Sequence, residues 1–208
     1  MPARVKICGV NSAAAIDAAA SAGADWVGFV FFPASPRHVT PEAAAALAAR
    51  HPLGPLRVGL FVDPDEDAVT AALAALRLDA LQLYAPPERA AALRLRFGLP
   101  VWRAVPVASA SDLPPMASGA DVLLLEASPP PDASRPGGNA RRLDWTLPRF
   151  WAAPCPWVLA GGLDPENVAG AIRASGASAV DVSSGVERAP GEKDPALIAA
   201  FVAAARAA

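Results

Sequence analysis

Cys8 ends the run "RVKIC" and is one of only two cysteines in 208 residues. A thiol at a strand end can serve as a base or nucleophile if its pKa, ordinarily about 8.5, is lowered by Lys6 or another cation. Most free cysteines are inert apolar fillers, and position alone favours that role for Cys8. Glu126 closes "VLLLE", a run apolar enough to be wholly buried. A carboxylate there is either paired or stands at a mouth with a task. Arg37, in "PASPRHV", either covers surface or grips a ligand carboxylate with two parallel hydrogen bonds. "LAGGLDPENV" and "VDVSSGVE" bring together Gly161, Gly162, Ser183, Ser184 and Gly185. Glycines let an anion approach the backbone, and helix N-termini favour negative charge, so the two stretches form a candidate phosphate site. The competing reading is two ordinary tight turns. His38 and His51 share no ligand spacing with a cysteine, so no metal site is expected.

The elements that must position these groups recur along the chain. "RVKIC", "DWVGFVFF", "LRVGLFV", "ALQLY", "LPVWRAV", "DVLLLE", "PWVLA" and "SAVDVS" are short, apolar and rich in β-branched residues. Each is too short for a helix and too continuous for a half-exposed strand, as in a parallel sheet buried on both faces. Between them lie helical patterns. Val69, Leu73 and Leu76 share a face of 65–77, and Leu197, Ile198, Phe201 and Val202 do so near the C-terminus. Thr40, Asp164 and Asp194 each precede a proline and signal helix starts. Eight units in 208 residues, about 26 each, predict a (β/α)8 TIM barrel forming one domain over 1–208. A doubly wound open sheet uses the same units, and the count of eight favours the barrel. The segment 127–143, Pro/Gly-rich and aperiodic, reads as a loop rather than a domain boundary, of a length that is usually functional or mobile. In such barrels the chemistry sits at strand C-termini, where Cys8 and Glu126 stand.

Composition excludes several classes. The chain is 53% hydrophobic and 18% charged, which is globular rather than disordered. Its formal net charge is −2 with no Lys/Arg stripe, so no nucleic-acid partner is expected. No apolar run reaches membrane-spanning length, so no membrane partner is expected. Gly9 and Asn11 follow the first apolar residues too closely for a signal-peptide core. Cys8 and Cys155 make no disulfide framework, and a reduced, cytoplasmic setting is expected.

"VKICGV", "GADWVGFVFFPASPRHV", "VGLFVD", "LQL", "PGGNARRLDW", "LAGGLDPENV" and "AVDVSSGVERAPGEKD", in that order over the whole chain, resemble phosphoribosylanthranilate isomerases. The resemblance implies an Amadori rearrangement in tryptophan biosynthesis. N-(5-phosphoribosyl)anthranilate, a small phosphorylated substrate, would become the carboxyphenylamino-deoxyribulose phosphate without a cofactor. It implies that a carboxylic acid protonates the furanose oxygen and that a cysteine thiolate removes the C2 proton. Cys8 matches the base, with a modestly depressed pKa expected of it. Glu126 matches the acid, Arg37 the anthranilate-carboxylate contact, and Gly161, Gly162, Ser183, Ser184 and Gly185 the phosphate site. A monomer is expected over a homodimer.

Three positions depart from the family pattern. Glu126 stands where the family has aspartate, "LQLYA" replaces LQLHG with Tyr84 and Ala85, and "GGNA" brings Ala140 into the loop after the sixth strand. An active isomerase is the leading expectation. The alternatives are a weakly active or inactive phosphate-binding relative, and an isomerase of a related aminoaldose phosphate.

Overall fold

The computed structural model describes residues 1–130, 137 and 141–208. Eight parallel strands close into a barrel: β1 (Arg4–Cys8), β2 (Trp26–Val30), β3 (Leu56–Val62), β4 (Ala80–Tyr84), β5 (Val101–Val107), β6 (Val122–Ala127), β7 (Trp157–Leu159) and β8 (Ala179–Val182). Each strand pairs with the next, and β8 returns to β1 with Arg4 opposite Ala179 and Lys6 opposite Asp181. All eight apolar runs are therefore strands, because only a barrel jacketed by helices buries both faces of each one.

Six α-helices form the jacket: α1 (Ala13–Ser21), α2 (Pro41–Ala48), α3 (Glu66–Ala75), α4 (Pro87–Phe97), α5 (Val168–Ser175) and α6 (Pro195–Arg206). Among the described residues, no α-helix fills two of the eight expected helical units. A 3-10 turn at 110–112 follows β5, and turns at 145–150 precede β7. Pro114, Pro115 and Pro148 lie in those segments, and proline removes a helical donor and clashes with the preceding turn. Thr40 and Asp194 cap α2 and α6 as expected. Asp164 instead accepts from the N–H groups of Glu166 and Asn167, and α5 begins later, at Val168. The segment 127–143 lies partly outside the described residues, with Ala140 among those left out.

At the N-terminal end one device recurs three times. Asp25 donates its N–H to the Val5 carbonyl and accepts the Val5 N–H on its carboxylate at 2.7 Å. Asp79 does the same with Arg57, and Asp121 with Val101. Each aspartate stands just before an even-numbered strand and staples the odd-numbered strand before it. Inside the barrel at this end, Trp26 and Trp102 pack edge to face with centroids 5.0 Å apart. The Arg4 guanidinium covers Trp26 at 3.7 Å.

Candidate active site

Strand alternation points Lys6 and Cys8 of β1 into the barrel, and Cys8 is the last residue before the chain turns out. Gly28, opposite Cys8 on β2, leaves the room they need. A Cβ there would lie 3.0 Å from Cys8 Sγ and 3.1 Å from Lys6 Nζ. The lone glycine inside "WVGFV" was the sequence signal for this close approach. Lys6 is fully buried and donates to Asp181 of β8 at 2.8 Å. Burial opposes its charge, but Asp181 more than compensates and the ammonium is held above its ordinary range.

The expected depression of the Cys8 pKa is not what the resting cleft provides. Burial pushes the thiol up, and the nearby Lys6 charge offsets this only in part, because Asp181 opposes it. Glu126, at the end of β6, is 7% exposed. Burial raises its carboxyl to about 8, with the Tyr84 hydroxyl beside it working in the opposite direction. It is therefore protonated at neutral pH, the state a proton donor needs. Glu126 and Tyr84, the two strand-end positions expected to differ from the resembled pattern, face each other. A Cβ on Gly137 would collide with the Tyr84 hydroxyl and come within 3.0 Å of Glu126 Oε2. Gly137, from the loop after β6, thus closes directly over the pair.

One cleft at the C-terminal mouth joins these groups. Cys8, Arg37, Glu126, Gly161, Gly162, Ser183 and Ser184 all line it. Gly161 and Gly162 adopt φ of 84° and 67°, a left-handed conformation that favours glycine. A Cβ on Gly162 would approach Arg142 Cα to 2.7 Å, so this turn nests against the chain returning from β6. Gly185, unlike the other four small residues, does not line the cleft. It lies behind the cleft, where a Cβ would collide with the Leu163 carbonyl, so its smallness lets the loops after β7 and β8 meet. Ser183 turns its hydroxyl onto the Cys8 carbonyl at 3.2 Å. Arg37 is buried, its stem lies across Gly9, and its guanidinium grips Glu187 by two hydrogen bonds of 2.7 and 2.8 Å. Opposite the charged groups, Val30, Leu60, Phe32 and Val62 form an apolar wall beside Cys8.

Sequence reasoning offered Lys6 only as a cation near Cys8 and missed its pairing with Asp181, along with Glu187, Lys193 and Arg141. The signal for the first pair was present. Lys6 sits inside a strand buried on both faces, and Asp181 does the same in β8. Charges in such positions require a partner or a function.

A parallel eight-stranded barrel with a buried carboxylic acid, a thiol and two glycine- or serine-lined turns at its mouth defines a class. It is an enzyme barrel built for acid–base chemistry on an anionic ligand. A family model described as N-(5'phosphoribosyl)anthranilate (PRA) isomerase matches residues 5–204. The N-(5'-phosphoribosyl)anthranilate isomerase of Acidiphilium cryptum is 59% identical over 208 residues, covering 99% of this chain and all of that one. Among solved structures, a phosphoribosylanthranilate isomerase from Thermotoga maritima superposes with a TM-score of 0.83 at 34% identity, covering 99% of this chain and 100% of that one. A phosphoribosylanthranilate isomerase in complex with reduced 1-(o-carboxyphenylamino)-1-deoxyribulose 5-phosphate gives 0.84 at 33% identity, with the same coverage. The chain belongs to the N-(5'-phosphoribosyl)anthranilate isomerase family.

Proposed function

We propose that Glu126 and Cys8 are the acid and the base of the family's reaction in this chain. That reaction converts N-(5'-phosphoribosyl)anthranilate to 1-(2-carboxyphenylamino)-1-deoxyribulose 5-phosphate in tryptophan biosynthesis. Protonated Glu126 gives its proton to the furanose oxygen as the C1–O bond breaks, and the amine lone pair forms the Schiff base. The Cys8 thiolate takes the C2 proton. The C2–H electron pair becomes the C1–C2 double bond, and the iminium electrons return to nitrogen. Protonation at C1, with loss of the C2 hydroxyl proton, then gives the ketone. Arg37 faces the anthranilate carboxylate, and the apolar wall beside Cys8 receives the ring. Gly161, Gly162, Ser183 and Ser184 receive the phosphate, with Gly185 holding their two loops together. The observation that carries this reading is that an acid already protonated at neutral pH shares one cleft with the thiol and both glycine- and serine-lined turns.

The pKa values make the working state a minority form. Glu126 must stay protonated, which favours pH below about 8, and Cys8 must lose a proton from a thiol whose pKa is raised. The rate therefore peaks on the alkaline side of neutrality, at the overlap of the two. Rescue of a tryptophan auxotroph lacking this isomerase tests the function. Growth with the parent and none with Cys8→Ser is expected. Equal growth with Cys8→Ser removes Cys8 as the base, and absence of growth with the parent favours the inactive phosphate-binding relative.

The chain is read as one barrel domain over 1–208, acting as a cytoplasmic monomer. Its large exposed apolar side chains, Leu53, Leu95 and Phe150 among them, come from separate segments. Among the described residues no helix is long and apolar enough to cross a membrane. Sedimentation at micromolar concentration should give a mass near 21.2 kDa.

A further inference from the structure

After β8 the chain makes a short antiparallel pair, β9 (Glu187–Ala189) and β10 (Glu192–Lys193), before entering α6. Its tip is Gly191, at φ 82°, packed so closely on the Pro36 carbonyl that a Cβ would collide. Asn11 holds the same tip by donating to the Gly191 carbonyl at 2.8 Å. The hairpin is thus clamped to the loops after β1 and β2. It delivers two charged side chains to the barrel mouth, Glu187 with 3% of its side chain exposed and Lys193 with none.

Each of these side chains holds a different wall of the cleft. Glu187 accepts from Arg37 Nε and Nη2, from Lys193 Nζ at 2.7 Å and from the Gly191 N–H at 3.2 Å. Lys193 also donates to the Ser183 carbonyl at 2.8 Å and the Ser183 hydroxyl at 3.3 Å, and Ser183 in turn bonds the Cys8 carbonyl. The cluster contains two cations and one carboxylate, so among the described residues it carries an excess of positive charge beside the cleft, which burial opposes at Lys193. The neighbouring Lys6–Asp181 pair is neutral and does not cancel it. A buried net charge is costly without a partner, and an anionic ligand in the cleft supplies one. Arg37 spends Nε and Nη2 on Glu187, and no partner among the described residues takes Nη1. Its two-pronged face is therefore turned to the hairpin, and the end that remains for a ligand is fixed in direction.

We propose that Glu187 and Lys193 are positioning residues that fix Arg37 and Ser183, and with them the carboxylate and phosphate ends of the cleft. This rests on the reading of Arg37 and Ser183 given under Proposed function. Glu187→Asp keeps the charge and withdraws its reach, so a purely electrostatic or packing role tolerates it. A positioning role does not. The expected result is a rise in KM for phosphoribosylanthranilate of about tenfold, the equivalent of one displaced charge-assisted hydrogen bond, with kcat little changed. In the Arg37→Ala background the same substitution should have no further effect, because the group through which Glu187 acts is gone. Lys193→Met should weaken competitive inhibition by inorganic phosphate, which Glu187→Asp should leave within about twofold, a change of only ~0.4 kcal/mol. Thermal unfolding of each variant identifies any that fail to fold, and the Glu187→Asp arm carries the test if Lys193→Met is one of them. Unchanged KM in Glu187→Asp with raised KM in Arg37→Ala overturns the positioning role alone. Multiplicative effects in the double variant also overturn it. Unchanged KM in Arg37→Ala overturns the carboxylate reading together with it.

Discussion

The two ends of this barrel treat charge in opposite ways. At the N-terminal end Asp25, Asp79 and Asp121 sit at the rim, each closing a reciprocal pair of hydrogen bonds with a strand start. Arginines complete them from outside: Arg4 and Arg206 on Asp25, and Arg94 with both nitrogens on Asp121. The interior there is tryptophan and aliphatic packing. At the C-terminal end the charges are inside. Glu126 is buried with no cation bonded to it among the described residues, and Lys6, Asp181, Glu187 and Lys193 all lie within the wall. The first arrangement stabilises the fold, and at Asp121 the carboxyl is held down, first by Arg94. The second raises one carboxyl to about 8 and lowers stability at the pH where it ionises. The mouth gives up stability for chemistry, and the base supplies the rigidity that holds it.

The sharpest way to break this contrast is Cys8→Ser. It should cost about a hundred- to ten-thousandfold in kcat while leaving the unfolding midpoint close to the parent's, since a small buried group is exchanged for one of similar size. Loss of the fold along with the rate would make Cys8 a packing residue.

Trp102→Ala addresses the other end. It should destabilise by about 3–5 kcal/mol, and the kcat of the folded fraction should stay at the parent level. A matching fall in kcat would show that the base shapes the site directly.

Glu126→Gln should do opposite things to rate and stability. Ring opening should be lost, because an amide has no acidic proton to deliver. Stability should rise, and the sign follows from linkage. A carboxyl whose folded pKa is raised favours the fold fully below its unfolded value of about 4.3 and loses that contribution as pH rises to about 8. Unfolding midpoints should therefore favour the variant more at pH 9 than at pH 5. Equal midpoints at both would mean that Glu126 titrates normally in the fold.

Asp121→Ala leaves the Val101 N–H without its side-chain partner, for about 1–2 kcal/mol of stability and no change in KM. Equilibrium urea unfolding and steady-state kinetics check the two halves of that statement. The smallest effect is expected from Tyr84→Phe. The hydroxyl holds the Glu126 pKa down, so its removal should shift the alkaline limb of kcat/KM to higher pH. A downward shift would mean that Tyr84, rather than Glu126, presents the proton.

The sequence by itself determined the eight strands, their parallel order and the place of the chemistry at their C-terminal ends. Apolar runs too short for helices have few ways to be buried on both faces, and alternation decides which residues face inward. Cys8, Glu126 and the two small-residue turns were legible for the same reason, as residue types out of character with the elements that carry them. Tertiary structure alone decided what those groups are able to do. Arg37 and Glu187 are 150 positions apart, as Lys6 and Asp181 are 175, and no local pattern records that they meet. Among the described residues no α-helix follows β5 or β6, where prolines stand whose effect depends on what the neighbouring units can cover. That Gly185 must also be small because the loop before α5 passes against it is a packing fact that the turn sequence does not record. The elevated Glu126 pKa and the undepressed Cys8 thiol are properties of enclosure and of opposing charges from other strands. Desolvation and Coulomb energy depend on distance through space, which the chain order does not contain.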